Sequence, residues 1–186
     1  MISIIIPYYK TDKSEFYLAR CLKSIREQTF QDYEIVISEG GSASYNVNKG
    51  VKEAQGDIIK VLCMDDYFTN NNSLKEIHKA FKGDWLIHGV SNHKTPHYTG
   101  DIHLGNNRLG GLSSMVFKKD SYIPLDETLV WLLDCDWHKQ MYMQYGLPVL
   151  LTGDYVTIQE GEGQATNLIS KEIKKKEVLK LQQKYA

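Results

Sequence analysis

The 186-residue sequence lacks long hydrophobic runs and an excess of charge of either sign. Because no apolar stretch approaches the roughly 20 residues that cross a bilayer, we expect no transmembrane segment. With 22 basic and 23 acidic residues, the chain has no basic stripe of the kind that binds nucleic acid, and we expect no such partner. A strand-like run over residues 2–6 stands where a secretion signal would begin, so the expected location is cytoplasmic.

Motifs for zinc, disulfides and dinucleotides are also missing. Cys21, Cys63 and Cys135 are far apart and include no CxxC pair, which predicts buried thiols in a reducing compartment. The six histidines include no HExxH motif. The loop after the first predicted strand has none of the glycines of a dinucleotide fingerprint or a P-loop, which argues against NAD binding and ordinary ATPase chemistry.

The order of predicted elements indicates the fold. Short β-rich runs alternate with amphipathic helical segments through residue 90, a pattern typical of right-handed crossovers and a parallel sheet. We predict one α/β domain of Rossmann-like type over residues 1–186, with a mostly parallel central sheet and helices on both faces. The predicted strands are 2–6, 33–37, 58–62, 85–90, 113–117, 148–151 and 155–159, and the predicted helices are 14–28, 44–54, 73–83, 132–145 and the lysine-rich tail.

Functional side chains are expected at the carboxyl ends of these strands. Tyr8 and Tyr9 follow the first strand, where aromatic rings either stack on a base or sugar or cover the end of the sheet. Glu39 follows the second strand and precedes two glycines, so it either accepts from a base or ribose or points to water. Asp65 and Asp66 follow the third strand. Two adjacent carboxylates repel each other unless a cation lies between them, which favours a divalent ion over a plain polar turn.

Further candidates lie in the second half of the chain. Asp134 and Asp136 begin a predicted helix, where they either serve as a general base or stabilise the helix N-terminus. Asn106 and Arg108 lie in a glycine-rich loop that could turn over a bound sugar. The lysine-rich tail is expected to be a solvated helix, with weak attachment to an anionic membrane as the alternative.

Taken together, the loops resemble those of the family 2 glycosyltransferases with the GT-A fold. The resemblance extends over nearly the whole chain, because ordered segments recur at the spacing of that family. The segments are 4–10 (IIIPYYK), 24–42 (SIREQTFQDYEIVISEGGS), 48–59 (NKGVKEAQGDII), 64–66 (MDD), 105–107 (GNN), 131–137 (WLLDCDW) and 160–164 (EGEGQ).

The resemblance assigns roles to particular positions. It implies that Asp66, with Asp65, holds Mn²⁺ or Mg²⁺, that Asp65 also contacts the donor, and that Asp134 is the catalytic base, with Asp136 as the second candidate. The remaining implied residues are Pro7, Tyr8, Tyr9, Glu39, Asn48 and Lys49 on the donor side and Asn106, Arg108 and Gln164 on the acceptor side. Cys63 stands where the family often has the first Asp of its acidic motif, and Val47 stands where an Arg is common.

The implied activity is metal-dependent, inverting transfer of a sugar, hexosyl-like, from a UDP- or GDP-sugar to a hydroxyl of a glycan or lipid-linked acceptor, as in polysaccharide biosynthesis. The implied organisation is a nucleotide-sugar-binding half (1–90), an acceptor and catalytic half (91–165) and a C-terminal helix (166–186). A non-catalytic sugar-nucleotide-binding module and a metal-dependent phosphohydrolase are the alternatives. The oligomeric state and the identities of sugar and acceptor stay open.

Overall fold

The computed structural model describes residues 1–105, 108–160 and 169–186. Within these ranges, seven strands form one sheet in the order β2-β1-β3-β6-β5-β7-β4. The strands are β1 (Ile2–Pro7), β2 (Tyr33–Ser38), β3 (Ile58–Val61), β4 (Tyr67–Phe68), β5 (Trp85–Val90), β6 (Met115–Lys118) and β7 (Val149–Thr157). The helices are α1 (Ser14–Arg26), α2 (Ala43–Glu53), α3 (Ser73–Ala80), α4 (Leu133–Tyr145) and α5 (Lys171–Lys184), with 3-10 turns at Leu112–Ser114 and Lys119–Ser121.

Strand direction decides where the chemistry can lie. β1 pairs in parallel with β2 and β3, and β5 pairs in parallel with β7. β6 is antiparallel to both β3 and β5, so β5 runs in the same direction as β3. β1, β2, β3, β5 and β7 therefore share one direction, and their carboxyl ends lie along the same end of the sheet, which we call the carboxyl end. The predicted α/β fold and mostly parallel sheet are confirmed.

Two details differ from the sequence-based expectation. The segments predicted as separate strands at 148–151 and 155–159 are a single strand, β7, whose pairing with β5 shifts register after His88. The two-residue strand β4 was not predicted; it is short and pairs only with β7 among the described strands. Both features depend on pairing between distant segments, which local periodicity does not encode.

The core lies on both faces of the sheet. Successive side chains of β1 point to opposite faces, so Ile4 and Ile6 pack with α1 and α3, while Ile5 packs with the α2, α4 and α5 face. A strand buried on both faces needs an almost continuous apolar run, which is why β1 shows no alternation in the sequence. In the described part of the chain, no helix is both long enough and apolar enough to cross a membrane.

Candidate active site at the carboxyl end of the sheet

Asp66 is the most buried of the acidic side chains at the carboxyl end, with 5% of its surface exposed. One carboxylate oxygen accepts a hydrogen bond from Ser113 Oγ at 2.6 Å, and the other accepts from the Gln159 backbone N–H at 2.8 Å. Ser113 lies in the 3-10 turn before β6 and Gln159 follows β7, so both come from outside the β3 loop. The sheet topology thus holds this carboxylate in one orientation.

The acidic pair is electrostatically unfavourable as it stands. Burial raises the pKa of Asp66, and the negative charge of Asp65 raises it further. Burial also raises the pKa of Asp65, against the lowering effect of nearby Arg20. Fully buried Lys60 supplies some positive charge, but its Nζ donates to the carbonyls of Val61 and Ser113 rather than to a carboxylate. A divalent cation would relieve this strain directly.

Arg20, which the sequence interpretation missed, braces the acidic loop. Its Nη2 donates to the Asp65 carbonyl at 2.5 Å and to Gln159 Oε1 at 2.8 Å, and its guanidinium lies 4.4 Å from the centre of the Tyr67 ring. With the bond from Gln159 to Asp66, these contacts close a ring around the acidic pair. The sequence signal for this role was a positively charged residue next to the apolar residues of α1.

The aromatic loop after β1 joins the same site. Pro7 is the last residue of β1 and pairs with Ser38, and the Tyr8 N–H donates to the Ser38 carbonyl at 2.8 Å. Tyr9 is 40% exposed, and its pKa is raised by partial burial and by the negative charges of Asp65, Cys63 and Asp66. Tyr9 thus lies within electrostatic range of the acidic loop, and part of the residue is exposed.

A second residue missed from the sequence connects the first two loops. Asn46 is buried in the first turn of α2, and its amide nitrogen donates to the carbonyls of Tyr8 and Gly41. Glu39 lies in the same loop region and is exposed, and its backbone carbonyl accepts from Lys49 Nζ at 3.1 Å. Glu39 and Lys49 therefore lie together beyond the end of β2, where the sequence predicted donor contacts.

Asn48 does not join this group. Its amide nitrogen donates to the Leu125 carbonyl and Glu127 Oε1, and its oxygen accepts from the Tyr122 hydroxyl and the Leu125 N–H. These four bonds use the full hydrogen-bonding capacity of the amide. The predicted donor contact by Asn48 is therefore not supported, and the side chain instead ties α2 to the segment before α4.

Asp134 lies in the first turn of α4 and is partly buried. Its Oδ1 accepts from the Cys135 N–H at 2.9 Å, as expected for an acidic side chain at a helix N-terminus. The loop that reaches Gly105 packs beside this turn: Gly105 has φ +89°, and a Cβ there would lie 2.4 Å from the Trp131 ring. A carboxylate on a rigid helix thus adjoins the loop predicted to contact an acceptor.

Asp136 has a different environment from Asp134 two residues earlier. It is fully buried and ion-paired with Lys184 Nζ at 2.7 Å, and it also accepts from the Tyr185 hydroxyl at 2.6 Å and from Gln140 Nε2 at 2.8 Å. A carboxylate enclosed by three donors has no opening to a reacting hydroxyl. This geometry corrects the prediction of Asp136 as the second candidate base and makes it a structural link to α5.

The structure describes one of the three residues predicted on the acceptor side. Arg108 is exposed, and its carbonyl accepts from the His97 N–H at 3.2 Å. Asn106 and Gln164 lie outside the described residues. The role of Arg108 on the acceptor side stays a prediction.

The residues of the β3 loop fit a divalent cation. Cys63, Asp65 and Asp66 each bring one potential ligand atom to within 4.8 Å of the others. Carboxylate oxygens suit Mg²⁺ and Mn²⁺, and the buried negative charge provides the attraction. All three cysteines in the described ranges are free thiols, and Cys63 is partly exposed where Cys21 and Cys135 are buried.

Co-directional strands, helices on both faces and an acidic loop at the carboxyl end define an α/β protein of the GT-A type. In agreement, S. aureus TarS 1-349 in complex with UDP-GlcNAc superposes with a TM-score of 0.72 at 19% identity, over 97% of this chain and 64% of that one. The mannosyltransferase PcManGT from Pyrobaculum calidifontis, in complex with GDP-Man and Mn²⁺, gives a TM-score of 0.65 at 11% identity, over 88% of this chain and 58% of that one.

Sequence comparison finds two matches to glycosyltransferases, each over part of the chain. The sequence model of glycosyl transferase family 2 matches residues 3–46. Glycosyltransferase GlyG of Streptococcus pneumoniae is 30% identical over 83 residues, which are 45% of this chain and 22% of that protein. These matches show similarity to family 2 glycosyltransferases over part of the chain, and the solved structures show a fold of the GT-A type. The chain spans about a fifth of that relative and less than two thirds of both structures.

Proposed function

We propose that this chain catalyses the metal-dependent, inverting transfer of a sugar from a nucleoside diphosphate donor to an acceptor hydroxyl. The observation that carries the proposal is the convergence of the Asp65–Asp66 pair, Arg20 and Tyr9 at the carboxyl end of the sheet. Similar structures in complex with UDP-GlcNAc and with GDP-Man and Mn²⁺ support a nucleotide-sugar donor and a divalent ion.

Donor binding follows from the loops that meet at this end of the sheet. The partly exposed Tyr9 ring offers a stacking face for the base, and we assign Pro7 and Tyr8 to the same donor side. Glu39 is positioned to accept from the base or ribose, and Lys49 beside it brings a positive charge. Asp66 and Asp65 would hold Mn²⁺ or Mg²⁺, which supplies electrostatic stabilisation of the departing diphosphate.

Transfer itself needs one base. We assign that role to Asp134, because a single displacement that inverts the sugar carbon requires removal of only the acceptor proton. Asp134 accepts that proton while the diphosphate leaves with the electron pair of the broken glycosidic bond. Asp136 is unsuited to this role because Lys184 and Tyr185 enclose it.

The first test is a thermal-shift panel of UDP, GDP, CDP and dTDP, each with and without Mn²⁺. A ligand at 100 times its Kd stabilises a protein by about 2.7 kcal/mol, which for a domain of this size raises Tm by roughly 5–10 °C. We expect one nucleotide to give this shift only with metal. No shift with any nucleotide would refute the donor site.

The second test separates transfer from binding. The sugar form of the nucleotide that binds is incubated with the protein and Mn²⁺, and release of the nucleoside diphosphate and formation of a glycosylated product are followed. Binding without turnover, even with glycan and lipid-linked acceptors, would show a non-catalytic module. Phosphate ester hydrolysis without sugar transfer would show the phosphohydrolase.

A further inference from the structure

The segment that leads into α4, the helix that bears Asp134, is held by a residue from the far end of the chain. The N-cap residue of α4 is Leu132, and no side-chain hydrogen bond caps the helix from that position. Just before the helix, the Glu177 carboxylate of α5 accepts from the N–H groups of Val130 at 2.8 Å, Trp131 at 3.0 Å and Leu132 at 2.9 Å. Glu177 is only 4% exposed, so these bonds are shielded from water.

Three consecutive backbone donors on one buried carboxylate fix the path of the chain into α4. Charge-assisted hydrogen bonds of this kind are about twice as strong as neutral ones. The last of these donors belongs to Leu132, two residues before Asp134. The bonds therefore set both the position and the direction of the turn from which the Asp134 side chain projects.

Further contacts hold the first part of α4 and the segment before it, residues 125–132, from two sides. On the α5 side, Lys180 pairs with Asp126 at 2.7 Å, and Lys184 pairs with Asp136. On the α2 side, Ser44 Oγ donates to the Leu129 carbonyl at 3.2 Å, and Asn48 holds Leu125. Since α2 directly follows the Glu39 loop, the segment 125–132 connects the donor side of the site to Asp134.

We propose that Glu177 is a positioning residue for the transfer reaction, which orients the first turn of α4 so that Asp134 reaches the acceptor hydroxyl. The inference rests on the proposed function, because it takes Asp134 as the base. It adds a role for α5 that the sequence, read as a solvated or membrane-attached tail, did not indicate. Glu177 touches neither substrate nor metal in this role and acts only through the backbone of 130–132.

The test compares Glu177→Gln with Glu172→Gln, the same change at an exposed position of the same helix. Turnover is measured as release of the nucleoside diphosphate from the donor found in the panel, with water or an acceptor, and donor affinity by calorimetry with Mn²⁺. For Glu177→Gln we expect kcat to fall roughly tenfold to a hundredfold, the loss typical of a misplaced catalytic group, with an unchanged donor Kd.

Two readouts distinguish positioning from a purely structural role. Loss of a nearby negative charge lowers the pKa of a carboxyl group, so the acid limb of the kcat–pH profile should move to lower pH in Glu177→Gln. Amide hydrogen exchange at Val130, Trp131 and Leu132 should become faster in the same variant. Glu172→Gln should match the wild type in both.

An unchanged kcat per folded molecule and an unchanged pH profile in Glu177→Gln would overturn the proposal, even if Tm fell. If this variant does not fold, Glu177→Asp replaces it: the charge stays but the reach is shorter, so kcat should fall while the acid limb stays in place. Wild-type kcat in Glu177→Asp would then refute the proposal. Asp134→Asn is measured in parallel, because full activity there refutes the base assignment itself, whatever Glu177 does.

Discussion

Asp66→Asn should change the stability of the metal-free protein little but abolish its stabilisation by metal and nucleotide. In the metal-free protein the Asp66 carboxylate is buried beside Asp65, and burial together with that neighbouring charge raises its pKa. Each unit of such a shift corresponds to about 1.4 kcal/mol of unfavourable interaction for the charged form. Replacing the charge by an amide of the same size removes that cost at neutral pH.

The amide does not keep all the contacts of the carboxylate. The Ser113 hydroxyl and the Gln159 N–H both donate to Asp66, and only one of them can find the amide oxygen without rearrangement. Leaving one buried donor poorly paired costs about 1–3 kcal/mol, which offsets the electrostatic gain. We therefore expect the metal-free variant to melt within about 4 °C of the wild type, a change of roughly 1 kcal/mol at this chain length.

With Mn²⁺ and the preferred nucleotide, the wild type should melt at a clearly higher temperature than Asp66→Asn. The wild type should gain roughly 5–10 °C at 100 times its Kd, and Asp66→Asn should gain almost nothing. The assay is a thermal melt of both proteins with nucleotide, with Mn²⁺, and with both. Asp57→Asn, an exposed carboxyl at the opposite end of β3, is the matched control and should behave as the wild type.

Either of two results would refute this reasoning. An equal metal-dependent shift in Asp66→Asn would show that the carboxylate does not hold the ion. A metal-free variant that melts more than about 10 °C below the wild type would show that the Asp66 charge stabilises the apo protein, contrary to its buried, repulsive setting.

Three further predictions concern other parts of the site and its support. Asp134→Asn should lower kcat by about 10²–10⁴-fold with an unchanged donor Kd, measured by turnover and calorimetry. Asp126 is bound by Lys180, which lowers its pKa to about 2 from the usual 3.8, so its contribution to stability is present above pH 4 and is lost as the pH falls towards 2. In denaturant unfolding at pH 5 and pH 2, Asp126→Asn should therefore lose less stability than the wild type. Gly105→Ala should cost about 1–3 kcal/mol, because φ is positive and a Cβ has no room, whereas Gly111→Ala meets open space and should leave Tm unchanged.

Local sequence determined most of the strands and the position of the acidic pair. β1 is a nearly continuous apolar run, which predicts a strand buried on both faces, and Asp65–Asp66 are adjacent to each other in the chain. Because carboxyl ends of co-directional strands meet, the convergence of Tyr9, Glu39 and the acidic loop at one end of the sheet could be predicted from element order alone.

The tertiary structure decided which of the similar residues are taken up by structural contacts. Asp134 and Asp136 lie in the same helical turn with the same local sequence signal, and the ion pair to Lys184, 48 residues further along the chain, is what separates them. Asn48 has a polar side chain at a position where the sequence predicted a donor contact. Its hydrogen-bond partners at 122–127 are more than 70 residues away in the chain and use its amide for a structural contact.

The same reason explains what sequence patterns missed. Periodicity reports which face of an element is buried, but it does not report which distant backbone a buried polar group will meet. Arg20 and Glu177 look like ordinary charged residues of amphipathic helices, and their meaning comes from the Asp65 carbonyl and the amides before α4. The sequence by itself set most of the elements and the chemistry at the strand ends. Contacts from distant segments, among them α1, α5 and the residues around β6 and β7, determined how those groups are held.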